Sequence, residues 1–184
     1  MTREYKIDLA CHPAHPSTAV RGIQAIVKLA ADGELHLTYL LDGDIPRLRI
    51  RPRAAPVFNA ELWRHTCFEI FIAAAGADAY HEFNFSPSGE WAAFAFKGYR
   101  DGGPLPDESL RPSMKFQSDM SRLRLESRVR IDRLASGHAR APLLVGLAAV
   151  IEEADRRSYW AIRHPCERPD FHKSEGFALR VDPH

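Results

Sequence analysis

The stretch from Trp63 to Tyr99 restricts the fold more than any other part of the chain, because its side chains alternate with the two-residue period of extended backbone. In the first segment, WRHTCFEIFI, an extended chain places Trp63, His65, Cys67, Glu69 and Phe71 on one side and Arg64, Thr66, Phe68, Ile70 and Ile72 on the other. In the second, Tyr80, Glu82 and Asn84 oppose His81, Phe83 and Phe85. A third strand is expected from Trp91 to Phe96, after a turn at Ser86, Pro87, Ser88 and Gly89. The apolar sides can pack in a core. The other side brings Cys67, Glu69, Glu82 and Asn84 together if the first two strands are neighbours. Carboxylates in mid-strand among aromatic residues are unusual for a sheet that only packs, so this side is the first place to look for a site.

The rest of the chain repeats the pattern. Tyr5 to Leu9 alternates, and the proline-rich CHPAHPST after it reads as a surface loop. Val20 to Ala30 is expected to be a strand rather than an amphipathic helix, because Asp32 and Gly33 make a hairpin signal into Glu34–Leu41. A turn at Asp42, Gly43 and Asp44 leads to a short edge strand over Pro46–Ile50, followed by an Arg- and Pro-rich connection. RDGGPLPDESLRPS, with adjacent glycines and three prolines, reads as an irregular loop capping the sheets. Further strands are expected over Met114–Gln117, Arg122–Ile131, Leu143–Glu152, Tyr159–Arg163 and Phe177–Val181, with a helical turn from Ile131 to Ser136 before Gly137. About ten strands with regular turns and almost no helix make an all-β protein. The expectation is a single β-sandwich, jelly-roll-like, over residues 1–184.

Composition narrows the function. With 25 Lys+Arg against 24 Asp+Glu, a net charge of +1 supplies no general attraction for nucleic acid. The arginine ladder Arg47, Arg49, Arg51 and Arg53 reads as protective charge on an edge strand. Three scattered cysteines, Cys11, Cys67 and Cys166, are a poor disulfide framework and fit a reducing compartment. MTREYKIDLACHP does not resemble a signal peptide, and the longest apolar run, Ala141–Ile151, falls short of the roughly 20 residues that span a bilayer. A cytoplasmic protein without a membrane partner is expected, its oligomeric state open.

The central WRHTCFEIFI followed by YHEFNFSPSGEWAAFAF resembles the DOMON-like relatives of the family 9 carbohydrate-binding modules, with Glu69, Ile70, Phe71, Asn84 and Gly89 matching the pattern. AVIEEADRRSYWAI and RPDFHKSEGFALRV resemble the stand-alone bacterial branch of that superfamily. The resemblance implies a β-sandwich that holds a small ligand on or between its sheets: sugars in one branch, haem in some DOMON domains. Carbohydrate-binding relatives use paired aromatic platforms beside polar groups, and Trp63, Trp91 and Trp160 are the large rings available. Relatives are often secreted or joined to enzymes, a pattern from which this chain departs.

The candidate groove comprises Trp63, Glu69, Glu82, Asn84, Trp160 and Arg163, for non-covalent capture of a small polar, saccharide-like ligand. Carboxylates accept from sugar hydroxyls, Asn84 donates and accepts, and a tryptophan ring stacks on a pyranose. Arg163, on one strand side with Tyr159 and Ala161, offers a bidentate contact to an anionic group. Trp160 falls on the opposite side with Ile162, so the two are not both primary contacts. The competing structural roles are a Glu69–arginine pair and an Asn84 side chain tying the Ser86–Gly89 turn. The rival functions are a small hydrolase, working through Glu69 and Glu82 or through Cys67 and His65, and an interaction domain without a small ligand. Against the thiol mechanism, i and i+2 positions on a strand lie about 7 Å apart, and Cys67 reads better as a small buried residue. No cofactor is expected. Haem is disfavoured because His65 and His81 fall on opposite faces. The resemblance admits structural calcium, for which Asp42–Asp44 and Asp101, Asp107 and Glu108 hold oxygens without a specific pattern. Cys11, His12 and His15 lack the second ligand cluster of a zinc site.

Overall fold

The structure, a computed structural model, describes residues 3–134 and 141–183. Twelve strands lie among them: β1 (Glu4–Cys11), β2 (Val20–Leu29), β3 (Glu34–Gly43), β4 (Cys67–Ala74), β5 (Tyr80–Phe85), β6 (Trp91–Gly98), β7 (Asp101–Pro104), β8 (Ser113–Ser118), β9 (Arg122–Arg130), β10 (Leu143–Glu152), β11 (Arg157–Ala161) and β12 (Leu179–Val181). Helix among the described residues is confined to short 3₁₀ turns, and none is long and apolar enough to cross a membrane.

All pairings between the strands are antiparallel, in the order β7-β6-β5-β4-β10-β11-β1-β2-β3-β9-β8, with β12 also on β10. The ribbon doubles over at β1. Glu4–Leu9 pair with β2, whereas Ala10 and Cys11 pair with β11. One layer is therefore β2, β3, β9 and β8, the other β11, β10, β4, β5, β6 and β7, and the architecture is a β-sandwich. Its core takes Ile23, Ala25, Val27, Leu35, Leu37, Tyr39, Leu123 and Leu125 from the first layer and Phe68, Ile70, Ile72, Phe83, Phe85, Val145, Leu147 and Ala149 from the second.

The layers differ on their outer faces. Alternate residues of β3 and β9 are buried and the rest are accessible. The basic side of β9 is a solvated lattice of ion pairs, Arg122 with Asp42, Arg124 with Glu126 and Arg130 with Asp132. By contrast β4 and β5 are buried on almost every residue. Their outer face is covered too, by Leu62 and Phe58 from the segment before β4 and by Phe171 and Phe177 from the segment after β11.

Several boundaries move from those the sequence suggests. Trp63 is not on the first central strand: Leu62–Arg64 form a 3₁₀ turn, and pairing begins at Cys67. Thr66 fixes this entry, donating to the Arg49 carbonyl (2.8 Å) and accepting from the Glu152 N–H (3.0 Å). Pro46 has no N–H to give a sheet and sits in a 3₁₀ turn over Ile45–Arg47, so the expected Pro46–Ile50 edge strand is absent. Asp101–Pro104, expected as loop, pairs with β6 instead. Gly102 allows this, since a Cβ there would lie 2.0 Å from the Ala95 carbonyl oxygen. The turn after β9 covers Ile131–Arg133, while Ser136 and Gly137 lie outside the described residues.

Candidate functional site

Glu69 stands directly opposite Asn84 across β4 and β5, and Phe71 opposite Glu82. Glu69 and Glu82 are thus diagonal neighbours on the outer face of their layer, within reach of one another's charge. The parity that sends Phe68 and Ile70 into the core sends Glu69 the other way. Above the two acids the covering segments leave a cleft of about 530 Å³. Glu69 and Glu82 line it with Phe94 and Phe96 of β6, Val150 of β10, and Tyr159 of β11. Phe171, His172 and Pro169 close it from the C-terminal segment, Trp63 from the segment before β4, and His15, Arg100, Arg157 and the Gly102–Pro104 strand complete the wall.

The floor is acidic, and both of its acids are buried. Glu69 is 3% and Glu82 5% exposed. Burial raises Glu69 to about 7, opposed by a hydrogen bond from the Cys67 thiol, whose Sγ lies 3.3 Å from Oε1. Burial, and then repulsion from Glu69, raises Glu82 to about 8, opposed by the Asn84 amide and by Arg100. The two acids titrate as a pair, so near neutrality the floor holds at least one proton. Among the described residues Glu69 has no ion-pair partner, and the closest basic atom to Glu82 is His172 Nε2 at 3.7 Å. Asn84 is fully buried. Although its amide favours the Glu82 carboxylate, neither Oδ1 nor Nδ2 reaches a hydrogen-bond partner of good geometry.

The wall is fixed by a network around Tyr80. Its hydroxyl accepts from the Arg100 N–H (3.2 Å) and lies 2.8 Å from His172 Nδ1. With the Tyr80 proton directed to Nδ1, the proton of a neutral His172 sits on Nε2 and faces Glu82. Burial and the Arg100 charge hold His172 down at about 4, so that it is neutral. Asp170 accepts from the Tyr99 hydroxyl (2.6 Å), the Arg100 guanidinium (2.9 Å) and the His172 N–H (3.1 Å). Farther along, Phe177 stacks on Phe71, which requires Gly146 beneath: a Cβ there would come 2.7 Å from Phe177 Cδ1.

Of the six residues assigned to a groove from the sequence, the structure gathers Trp63, Glu69 and Glu82 in the cleft, with Asn84 buried beside them. Trp63 is 48% exposed at the rim, and the Arg64 guanidinium sits 5.1 Å from its ring centre. Trp160 belongs to the interior between the layers, its indole N–H donating to Ser158 (3.0 Å), and Arg163 is exposed outside the cleft lining. Strand parity already separates Trp160 from Glu69; Arg163 is removed because β11 ends at Ala161.

The structural roles weighed for Glu69 and Asn84 are filled by other residues. Glu69 meets a thiol, not an arginine. The Ser86–Gly89 turn is tied by Ser86, Ser88 and Glu90, with Glu90 in turn bound to Asn59 and Arg51. No Cys67–His65 pair forms. His65 points to Glu152 (3.1 Å), while burial and the neighbouring Glu69 push the Cys67 thiol well up. Among the described residues no three His, Cys, Asp or Glu side chains gather as a metal site. Asp42 pairs with Arg122, and Asp107 accepts from the Ser109 N–H. His12 is a structural tie, accepting from the Ala14 N–H and donating to the Cys166 carbonyl.

Phe94, Phe96 and Tyr159 were legible as cleft residues from parity, since each shares a sheet face with the acids. No periodic signal marks Phe171 or His172, which lie in irregular backbone.

No family model matches the sequence, and no curated protein is similar enough to match. Among solved structures, a protein from Bacteroides uniformis provisionally described as carbohydrate-binding superposes with a TM-score of 0.74 at 13% identity, over 96% of this chain and 84% of that one. A family 9 carbohydrate-binding module from Caldicellulosiruptor kristjanssonii, in complex with cellotriose, aligns at a TM-score of 0.46 and 14% identity over 85% of this chain and 72% of that one. Its complex with glucose gives 0.45 at 14%, over 85% and 74%. What this chain shares with the Bacteroides protein is its fold.

Proposed function

We propose that the outer-face cleft captures a small polyhydroxylated ligand of saccharide type, non-covalently. One observation carries the reading: two buried carboxyl groups, with no lysine or arginine paired to either among the described residues, form the floor of an aromatic-walled cavity of about 530 Å³, a size and lining suited to a small ligand. A carboxyl pair sharing a proton both donates to and accepts from ligand hydroxyls, and Trp63 at the rim offers an apolar face for a sugar ring. The fold shared with a protein described as carbohydrate-binding supports the same reading.

Titration calorimetry of the purified chain with a panel of mono- and disaccharides tests it. Binding is expected to weaken about tenfold or more, roughly 1.4 kcal/mol, in Trp63→Ala and in Glu69→Gln. Absence of binding across the panel, or binding indifferent to both substitutions, would remove the proposal. The carboxyl pair also favours a second reading, glycoside hydrolysis, since an acid beside a base is what such cleavage uses. Release of reducing sugar, lost in Glu82→Gln, would transfer the assignment to it.

A further inference from the structure

We infer that the preferred ligand of the cleft carries an ammonium group, as an amino sugar does, with its cation seated between Glu69 and Glu82. The inference rests on the saccharide reading and narrows it.

It follows from which charges in the cleft are already answered. Arg100 is bound to Asp170 at 2.9 Å, and Arg157 lies 3.6 Å from Glu152. His172 is neutral, its Nδ1 taken by Tyr80. The acids on the floor have no such ion pair among the described residues: Glu69 meets the Cys67 thiol through Oε1, and Glu82 has neutral His172 at 3.7 Å, the Asn84 amide beside it and the more distant charge of Arg100, which is held by Asp170. A buried carboxylate without a cation is strongly unfavourable, and a ligand that brings one removes that penalty.

Asn84 points the same way: its amide favours the Glu82 carboxylate, but neither polar atom makes a hydrogen bond of good geometry. Its side chain is closed to solvent, opposite Glu69 and two residues from Glu82 on the same face. A buried amide left so is costly. An ammonium has three N–H donors; Glu69, Glu82 and the Asn84 carbonyl offer three acceptors. Phe94, Phe96, Tyr159 and Phe171 line the cleft around the floor, and an aromatic face turned towards the ligand attracts an ammonium group. Calcium is a poorer occupant, because it wants about 6–8 oxygens and the floor supplies two carboxyls and one amide.

An ammonium also differs from a hydroxyl in its effect on the shared proton. It favours both acids in their ionised form, so seating it expels protons to the buffer; a neutral sugar, bonding to the protonated pair, expels none.

The experiment compares glucosamine, glucose, N-acetylglucosamine and glucuronate by calorimetry at about pH 6.5, below the titration range of an amine, in two buffers of different ionisation enthalpy. Glucosamine is expected to bind about tenfold or more tighter than glucose and N-acetylglucosamine, with proton release seen only for glucosamine. In the doubly substituted Glu69→Gln/Glu82→Gln protein, confirmed folded by its thermal transition, glucose binding should weaken as the saccharide reading requires and glucosamine binding about tenfold further, so that the preference and the proton release are lost. Equal binding of glucosamine and glucose, or tighter binding of glucuronate through Arg100 and Arg157, overturns the inference and leaves the saccharide reading standing. Silence from all four ligands overturns both.

Discussion

Glu69 and Asn84 face one another across two central strands, both closed to solvent, and among the described residues neither side chain is answered by a basic residue. A sheet that existed only to pack would place apolar residues at such a pair. The arrangement has measurable consequences even before a ligand is found.

Burial raises Glu69 to about 7 and Glu82 to about 8 from an ordinary 4.5, and the two act as one coupled pair, so the folded state binds protons more tightly than the unfolded chain. Stability must therefore fall as pH rises through that interval. His172, held at about 4 against 6.5, has the opposite slope below about pH 6.5 and partly cancels the acids there. The clean window is from about pH 6.5 to 8. Thermal melts across it should show Tm decreasing, and Glu82→Gln should flatten the decline, at about 2–4 °C for each kcal/mol recovered. A Tm independent of pH in this window would contradict a buried, proton-sharing pair.

Tyr80→Phe keeps the ring that stacks on Phe96 but deletes the hydroxyl joining Arg100 to His172. Leaving those groups unsatisfied should cost about 1–3 kcal/mol. Backbone hydrogen exchange should accelerate around His172 while the β2–β3 hairpin stays protected. Uniform acceleration throughout the chain would mean that the cleft wall is not a separate unit.

Gly146 is the seat of Phe177. In Gly146→Ala the new methyl would meet that ring at 2.7 Å and the Phe71 Cβ at 3.4 Å. Overpacking of this kind costs about 1–3 kcal/mol, and displacement of Phe177 should carry the Phe171–His172 wall with it. Weaker ligand binding together with a lower Tm is the expected pair of results; a stability loss with unchanged binding would uncouple the C-terminal segment from the site.

Cys67 is fully buried with its thiol pushed well up, whereas Cys11 and Cys166 are partly accessible. Alkylation of the native protein followed by peptide mass analysis should modify Cys11 and Cys166 and spare Cys67 until the chain is unfolded. Rapid native labelling of Cys67 would return it to consideration as a nucleophile.

The strands were legible where one face meets water and the other a core. β3 and β9 alternate so regularly that register and exposure follow from residue type alone, and Asp32–Gly33 announces the hairpin between β2 and β3. The same period placed Glu69, Glu82 and Asn84 on one face of adjacent strands. It misled at Trp63, where an apparent continuation of β4 is a 3₁₀ turn held by contacts from Thr66 to distant residues. Distant contacts also explain what remained hidden: the Asp170–His172 segment is held at the cleft by Tyr99, Arg100 and Tyr80, partners about 70 to 90 positions away in the chain, and no local pattern encodes such a meeting.

Because the cleft lies outside the sandwich, Glu69 is flanked in sequence by two residues, Phe68 and Ile70, that serve the opposite side of the sheet. Residues that line the cleft and residues that hold the layers together alternate along one strand without sharing a compartment. A lineage built on such a scaffold can reshape the cleft by replacing side chains on a single surface, and inherit its core unaltered.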